Sequence, residues 1–171
     1  MRRRQLAPVL VCAALLATGC TRRAPGSEAN EVDARAALWL DEAGKGATWN
    51  PRVLEGQVTV VNFFATWCLP CLGQLMLLSE YQKELGPRGL QVVAIGMDLE
   101  GARVLDMFAR AQGHPFPILI ANEEVRQGET PFGRIPVVPV TFVLDRQGRI
   151  VRGWPGLADP GELRAAIERQ L

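Results

Sequence analysis

The chain has 171 residues, 48% of them hydrophobic, and its 19 Lys and Arg against 18 Asp and Glu give a formal net charge of +1. The apolar content is typical of a globular protein, and the length suits one domain with a proper core. The even charge balance excludes a strongly basic chain, so we expect no nucleic acid partner.

The N-terminus has the composition of an export signal. Arginines at 2–4 precede an apolar stretch at 6–17, which is too short to span a bilayer as a stable helix. The sequence ATGC at 17–20 resembles a bacterial lipobox, in which the cysteine is lipidated, although Ala17 stands where leucine is usual. We therefore predict a lipoprotein signal peptide at 1–19 with lipidation at Cys20. An ordinary cleaved signal with a chance cysteine is the alternative.

The domain organisation follows from this signal. Residues 20–33, rich in Ala, Pro, Gly, Ser and charge, are predicted to be a lipidated N-terminus and flexible tether, and 34–171 a single domain. Removal of 1–19 from the 171 residues would leave 152, and the loss of three arginines would set 16 basic residues against 18 acidic ones. We expect an extracytoplasmic protein, lipid-anchored to a bacterial membrane on its periplasmic side, with the inner or outer membrane left open.

The four cysteines divide into two pairs. Cys12 would be removed with the signal and Cys20 would carry lipid, which leaves Cys68 and Cys71 in the motif WCLPC. An exported domain with only these two thiols has no disulfide framework, so a redox-active pair is the favoured interpretation. Half a zinc site is disfavoured because a tetrahedral site needs four ligands and the sequence has one histidine, His114. We expect His114 to be an exposed turn residue, and a ligand role is the alternative.

The CxxC motif stands where a predicted strand meets a predicted helix. The run VTVVNFF at 58–64 is typical of a strand buried on both faces. Apolar residues then recur at helical spacing up to Gly86-Pro87: Leu72, Leu75, Met76 and Leu85. A cysteine at a helix N-terminus is favoured as a thiolate by the free amide groups and the helix dipole. We therefore predict thiol–disulfide exchange, in which Cys68 attacks and Cys71, one turn deeper, resolves the mixed disulfide.

The rest of the chain alternates between strand and helix patterns. We predict a first strand at 34–40 with a turn at 41–46, a strand at 91–97, a helix at 100–111, a short apolar stretch at 116–120, a strand at 139–145 and a hairpin into 149–154. A final helix is predicted to start at Asp159 and to bury Leu163, Ala166, Ile167 and Leu171. This order indicates an α/β sandwich with a mixed central β-sheet flanked by helices.

Two segments carry a family resemblance. FFATWCLPC at 63–71 and VVPVTFVLD at 137–145, which precedes a glycine turn, resemble the TlpA/ResA-type thioredoxin-like thiol–disulfide oxidoreductases. The resemblance covers roughly 34–171. It implies a thioredoxin-like fold and a membrane-anchored extracytoplasmic enzyme.

The same resemblance implies roles for residues around the cysteines. Pro139 matches the family's cis-proline, which faces the disulfide and leaves the backbone of Val138 free to pair with a substrate strand. Pro136 is the competing candidate. Pro70 restricts the CxxC loop and disfavours strongly oxidising behaviour. Trp67 is expected to cover one side of the disulfide, with simple core packing as the alternative.

Two amides stand where related proteins often have an acid. Asn62 replaces the buried aspartate of thioredoxin, and Gln74 replaces a glutamate found three residues after the second cysteine in the TlpA/ResA group. An amide can orient groups by hydrogen bonds but cannot act as an acid or base near neutral pH. We therefore expect a redox site with less acid–base help than its relatives have.

The expected function is reduction of disulfides in exported proteins, and the resemblance implies apocytochrome c as one such substrate. The implied partners are these protein disulfides, a membrane thiol carrier as electron donor, and the lipid bilayer. No cofactor is expected beyond the redox-active Cys68–Cys71 disulfide, and no metal. The alternatives are a Cu(I)-binding copper-delivery protein that uses Cys68 and Cys71, and a non-catalytic interaction lipoprotein.

Overall fold

The computed structural model describes residues 32–171. The predicted signal peptide at 1–19, Cys20 and most of the predicted tether lie outside the described residues. Within the described part, no helix combines the length and apolar character that crossing a membrane requires.

Seven strands in residues 32–171 form one mixed sheet in the order β2-β1-β5-β4-β3-β6-β7. The central strands β3, β4 and β5 run parallel, and β6 pairs antiparallel with β3. The strands are β1 (Asp41–Glu42), β2 (Ala47–Thr48), β3 (Val58–Phe64), β4 (Leu90–Gly96), β5 (Ile118–Ile120), β6 (Val140–Leu144) and β7 (Ile150–Pro155). The predicted α/β architecture with a mixed sheet is confirmed.

Four α-helices in the described residues flank the sheet: α1 (Leu69–Leu85), α2 (Ala102–Gln112), α3 (Glu123–Gln127) and α4 (Pro160–Glu168). Short 3-10 helices cover Ala34–Leu38, Pro51–Leu54 and Gly86–Arg88. The start of α4 is as predicted, since the Asp159 carboxylate accepts the Glu162 N–H at 2.9 Å. The sequence analysis did not predict α3, which begins where the Asn122 side chain accepts the Val125 N–H at 3.0 Å.

The core lies in two layers, one on each face of the sheet. Successive side chains of a strand point to opposite faces. Val60 and Phe64 of β3 therefore join the layer under α1 and α4, together with both CxxC cysteines, whereas Val61 and Phe63 join the layer on the opposite face. Because both faces are covered, every residue of β3 is buried, as its apolar run predicted.

The predicted strand at 34–40 is wrong. Ala34–Leu38 is a 3-10 helix, because the Asp33 carboxylate accepts the Arg35 N–H at 3.0 Å and so caps the turn. The same carboxylate binds the Arg35 guanidinium, which also donates to the carbonyl of Leu54 at 3.0 Å. The first strand starts only at Asp41, inside the segment predicted as a turn.

The helix that the apolar spacing predicted is present as α1, but not all of its apolar residues are buried. Met76 is 67% exposed and Leu72 is only half-buried. The buried side of α1 is instead formed by Cys71, Gln74, Leu75, Leu78, Tyr81 and Leu85. α1 therefore carries apolar residues on its solvent side as well.

Candidate active site

Cys68 and Cys71 form a disulfide at the start of α1, with their Cα atoms 5.2 Å apart. Cys68 is the N-cap residue, and its Sγ accepts the N–H of Cys71 at 3.2 Å. Cys68 is 7% exposed and Cys71 is 0% exposed. Cys68 is therefore the more accessible cysteine of the pair, which is the arrangement that the predicted order of attack requires.

The loop before β6 faces this disulfide. The Val138–Pro139 peptide bond is cis, as the family resemblance implied, and the described residues contain no cis bond at Pro136. The carbonyl oxygen of Val138 lies 3.8 Å from Cys68 Sγ. A backbone carbonyl group outside the regular sheet thus stands beside the sulfur of Cys68.

Several apolar side chains line a groove beside the loop that carries the cis-proline. Trp67 is 74% exposed and lines a groove of about 300 Å³ with Leu99, Val137 and Val138. The core-packing alternative for Trp67 is therefore wrong, and its role as a cover over the disulfide stays a prediction. Pro70 is the second residue of α1, where its missing N–H leaves no helical hydrogen bond unmade.

The two amides are both buried in the described structure. Asn62 is 0% exposed, and its Nδ2 donates to Thr141 Oγ1 at 2.9 Å. Gln74 is 1% exposed, and its Oε1 accepts the N–H of Ala158 at 3.0 Å. Asn62 Oδ1 and Gln74 Nε2 have no hydrogen-bond partner among the described residues. Each amide thus hydrogen-bonds to a neighbouring segment through only one of its two polar side-chain atoms.

A buried carboxylate that the sequence analysis missed fixes the loop before Cys68. Asp98 is 3% exposed and lies two residues after the end of β4. It accepts the Thr66 hydroxyl at 2.6 Å and the Thr66 N–H at 3.1 Å. A signal was available, because polar residues just after neighbouring parallel strands meet at the same edge of the sheet.

Arg126 of α3 adds a second support to the same loop edge. Its guanidinium donates to the carbonyl oxygens of Met97 and Asp98 at 2.8 Å and 2.9 Å. It also lines the groove beside Trp67. Sequence reasoning could not place this residue because α3 itself was not predicted.

Comparison of the chain with models of known protein families gives a match. The model of the AhpC/TSA family matches residues 23–152. The chain belongs to the AhpC/TSA family. This AhpC/TSA protein is also 26% identical to thiol-disulfide oxidoreductase ResA of Bacillus thuringiensis (strain Al Hakam) over 116 residues, which cover 68% of this chain and 65% of that one. A ResA of Oceanobacillus iheyensis is 30% identical over 99 residues, 57% of this chain and 48% of that one. The chain thus spans just under two thirds of the first relative's length.

Solved structures share the fold of this AhpC/TSA family member. A thiol:disulfide interchange protein from Chlorobium tepidum TLS superposes with a TM-score of 0.64 at 25% identity, covering 77% of this chain and 91% of that one. StoA from Bacillus subtilis gives 0.57 at 21% identity, covering 74% and 92%. The thioredoxin-like fold and the TlpA/ResA-type resemblance are thereby confirmed.

His114 lines a groove together with Lys45 and Arg110, and neither cysteine of the disulfide lines this groove. It is half-buried, stacks on Phe116 with ring centroids 5.1 Å apart, and its Nδ1 lies 2.8 Å from Ser79 Oγ. Burial lowers the pKa of His114. The expectation of an exposed turn residue is wrong, because Gly113-His114-Pro115 turns the imidazole inward. The described residues contain no cluster of three or more His, Cys, Asp or Glu side chains that could hold a metal.

Proposed function

We propose that the chain is an extracytoplasmic thiol–disulfide oxidoreductase that reduces disulfides of exported proteins while tethered to a bacterial membrane through Cys20. The observation that carries the proposal is the Cys68–Cys71 disulfide at the start of α1, with Sγ of the more exposed cysteine, Cys68, 3.8 Å from the Val138 carbonyl oxygen. The names of the relatives support the same class of reaction.

The proposed reaction consists of two successive thiol–disulfide exchanges. The thiolate of reduced Cys68 attacks one sulfur of a substrate disulfide, and the other substrate sulfur leaves as a thiolate that takes up a proton. The thiolate of Cys71 then attacks Cys68 Sγ, which re-forms the disulfide and releases the substrate as a dithiol. Two electrons pass from the cysteine pair to the substrate, and a membrane dithiol carrier returns them.

The start of α1 favours Cys68 as the attacking group. Its sulfur already accepts the N–H of Cys71 at 3.2 Å, and a negative charge at this position also interacts favourably with the helix dipole. The deprotonated sulfur is the nucleophile, so both effects raise the reactive fraction at neutral pH. Cys71 has no exposed surface, so it reacts only with the mixed disulfide that forms on Cys68.

The surroundings of the disulfide suit a polypeptide substrate. Trp67, Leu69 and Leu99 are between 74% and 88% exposed on this part of the protein. Exposed apolar side chains rimmed by polar groups are typical of protein-binding surfaces. A strand of substrate that pairs with the backbone at Val138 would bring its cysteine to Cys68, and apocytochrome c is one substrate of this kind.

Trapping tests the reaction. A Cys71→Ser variant of the full chain is expected to accumulate mixed disulfides on Cys68, since the resolving thiol is gone, and the partners can be identified by mass spectrometry. The double variant Cys68→Ser, Cys71→Ser is the matched control and should capture nothing. The unchanged protein should reduce insulin disulfides. No captured partner together with no insulin reduction would favour the non-catalytic alternative.

Fractionation tests the tether. The unchanged protein is expected in the membrane fraction, whereas the Cys20→Ser variant, which lacks the lipidation thiol, should not carry lipid. Metabolic labelling with a radioactive fatty acid checks the modification directly. Equal labelling of both proteins would contradict lipidation at Cys20.

A further inference from the structure

Gln74 joins the CxxC helix to the segment that follows β7. It lies on the buried side of α1, one turn after Cys71, and its Oε1 accepts the N–H of Ala158 at 3.0 Å. Gln74 and Ala158 are each 1% exposed. The bond is therefore shielded from water, and its loss would leave a buried backbone donor without its acceptor.

The geometry fixes which end of the carboxamide makes this bond. A backbone N–H can be accepted only by the oxygen, so Oε1 must point to Ala158 and Nε2 must point elsewhere. Nε2 has no hydrogen-bond partner among the described residues. A buried donor without a partner costs stability, which offsets what the Oε1 bond contributes. The clear consequence of Gln74 is therefore the position of Ala158 and not a gain in stability.

The segment that Gln74 holds reaches the cis-proline loop. At its other end, the N–H of Gly156 donates to the carbonyl oxygen of Pro139 at 2.8 Å. Leu157 stands between these two fixed neighbours and is 61% exposed. Hydrogen bonds thus connect α1 to residues 156–158, and these to the loop whose Val138 carbonyl lies beside Cys68.

We propose that Gln74 is a positioning residue for polypeptide substrates: it holds residues 156–158 against α1, so that Leu157 and the Val138 backbone form one surface beside Cys68. This inference rests on the proposed function and names a substrate class for it, an extended polypeptide with an apolar side chain near its cysteine. A small disulfide needs to reach only the sulfur. Gln74 therefore affects the binding of a polypeptide far more than the exchange chemistry.

The test compares two glutamines of the same helix. Gln74→Met removes the acceptor and keeps the side-chain length. Gln82→Met is the matched control, because Gln82 Oε1 also accepts a backbone N–H, that of Val92 at 2.7 Å, toward the far end of α1. Each full-length variant is assayed for kcat and KM with insulin and with bis(2-hydroxyethyl) disulfide. Gln74→Met should raise the KM for insulin to about ten times that of the control. With bis(2-hydroxyethyl) disulfide, kcat and KM of Gln74→Met should match those of the control.

Two further measurements keep the inference open to disproof. Amide hydrogen exchange at Ala158 should be fast in Gln74→Met and slow in Gln74→Glu, because a carboxylate still offers an acceptor. Gln74→Glu should also restore the low KM for insulin. Equal KM changes in Gln74→Met and the control, or unchanged exchange at Ala158, would overturn the inference alone. An unchanged protein that reduces neither disulfide would overturn the proposed function as well.

Discussion

Asp98 shows how one buried side chain can fix the approach to a redox pair. Its carboxylate accepts both the hydroxyl and the N–H of Thr66, two residues before Cys68. A charged acceptor makes stronger hydrogen bonds than a neutral one. Thr66 is therefore held by a side chain from the segment that follows the neighbouring strand β4.

We expect Asp98→Asn to weaken the protein and its activity together. The amide keeps one acceptor but turns an NH2 group toward the donors of Thr66, so the free energy of unfolding should fall by about 1–3 kcal/mol. Urea denaturation and the rate of insulin reduction measure the two effects. Asp106→Asn is the control, because Asp106 accepts the N–H of Gly44 at 2.8 Å outside the CxxC loop. An equal loss of activity in both variants would contradict a specific role for Asp98.

His114 is a second residue whose environment the sequence did not predict, because it is half-buried and not exposed. Ser79 donates its single hydroxyl proton to the carbonyl of Leu75 at 2.8 Å, so we assign the proton between the two side chains to Nδ1 of His114. The imidazole is packed between Phe108 and Phe116. These aromatic neighbours explain why the charged form is disfavoured.

This burial predicts a pH dependence of stability. The pKa of folded His114 lies below its ordinary value of 6.5 because burial disfavours the imidazolium. The unfolded chain therefore binds this proton first as the pH falls, and stability that is present above pH 6.5 is lost toward the lower folded pKa. We expect the advantage of the unchanged protein over His114→Gln in unfolding free energy to shrink between about pH 7.5 and about pH 5. A difference that does not vary with pH would contradict the assignment.

At the scale of elements, α1 has apolar residues on two sides and buries only one of them. Leu75 is 0% exposed, whereas its neighbour Met76 is 67% exposed. The spacing of apolar residues alone did not separate the two sides. The sheet and α4 decide the matter, because they cover the side that carries Cys71 and Leu75.

Alanine substitution at these neighbours measures the difference. Leu75→Ala should lower the free energy of unfolding by about 2–5 kcal/mol, because it removes buried methyl groups and leaves a cavity. Met76→Ala should change it by less than about 0.5 kcal/mol, as a substitution at the surface. Thermal and urea denaturation check both values. A large loss for Met76→Ala would show that its side chain packs against a surface outside the described contacts.

Prediction of the elements succeeded where the local sequence was decisive. The run at 58–64 is apolar on both faces, which predicts a central strand, and Asp159-Pro160 with Glu162 predicts the start of α4. It failed at 34–40, where the Asp33 side chain caps a 3-10 helix by accepting the N–H of Arg35. Hydrogen bonds from polar side chains compete with the strand pattern there, and apolar periodicity carries no information about them.

At the scale of the whole molecule, the sheet order brings together four segments that are far apart in the chain. Parallel β3 and β4 place Thr66 beside Asp98, and antiparallel β6 and β7 place residues 138–139 and 156–158 near the start of α1. The core layer under α1 and α4 contains both cysteines. The reactive cysteines and the residues that hold them in place thus lie close to strand ends that meet at one edge of the sheet.

The sequence by itself determined the reactive pair, the strand and helix that carry it, and the family resemblance, because each depends on residues that are neighbours in the chain. Tertiary structure alone decided that Asp98 holds the loop before Cys68, that Gln74 holds Ala158, and that His114 meets Ser79 of α1. These contacts join residues between 32 and 84 positions apart. Local patterns cannot specify such contacts, since the pairing of strands and the packing of helices set which distant side chains meet.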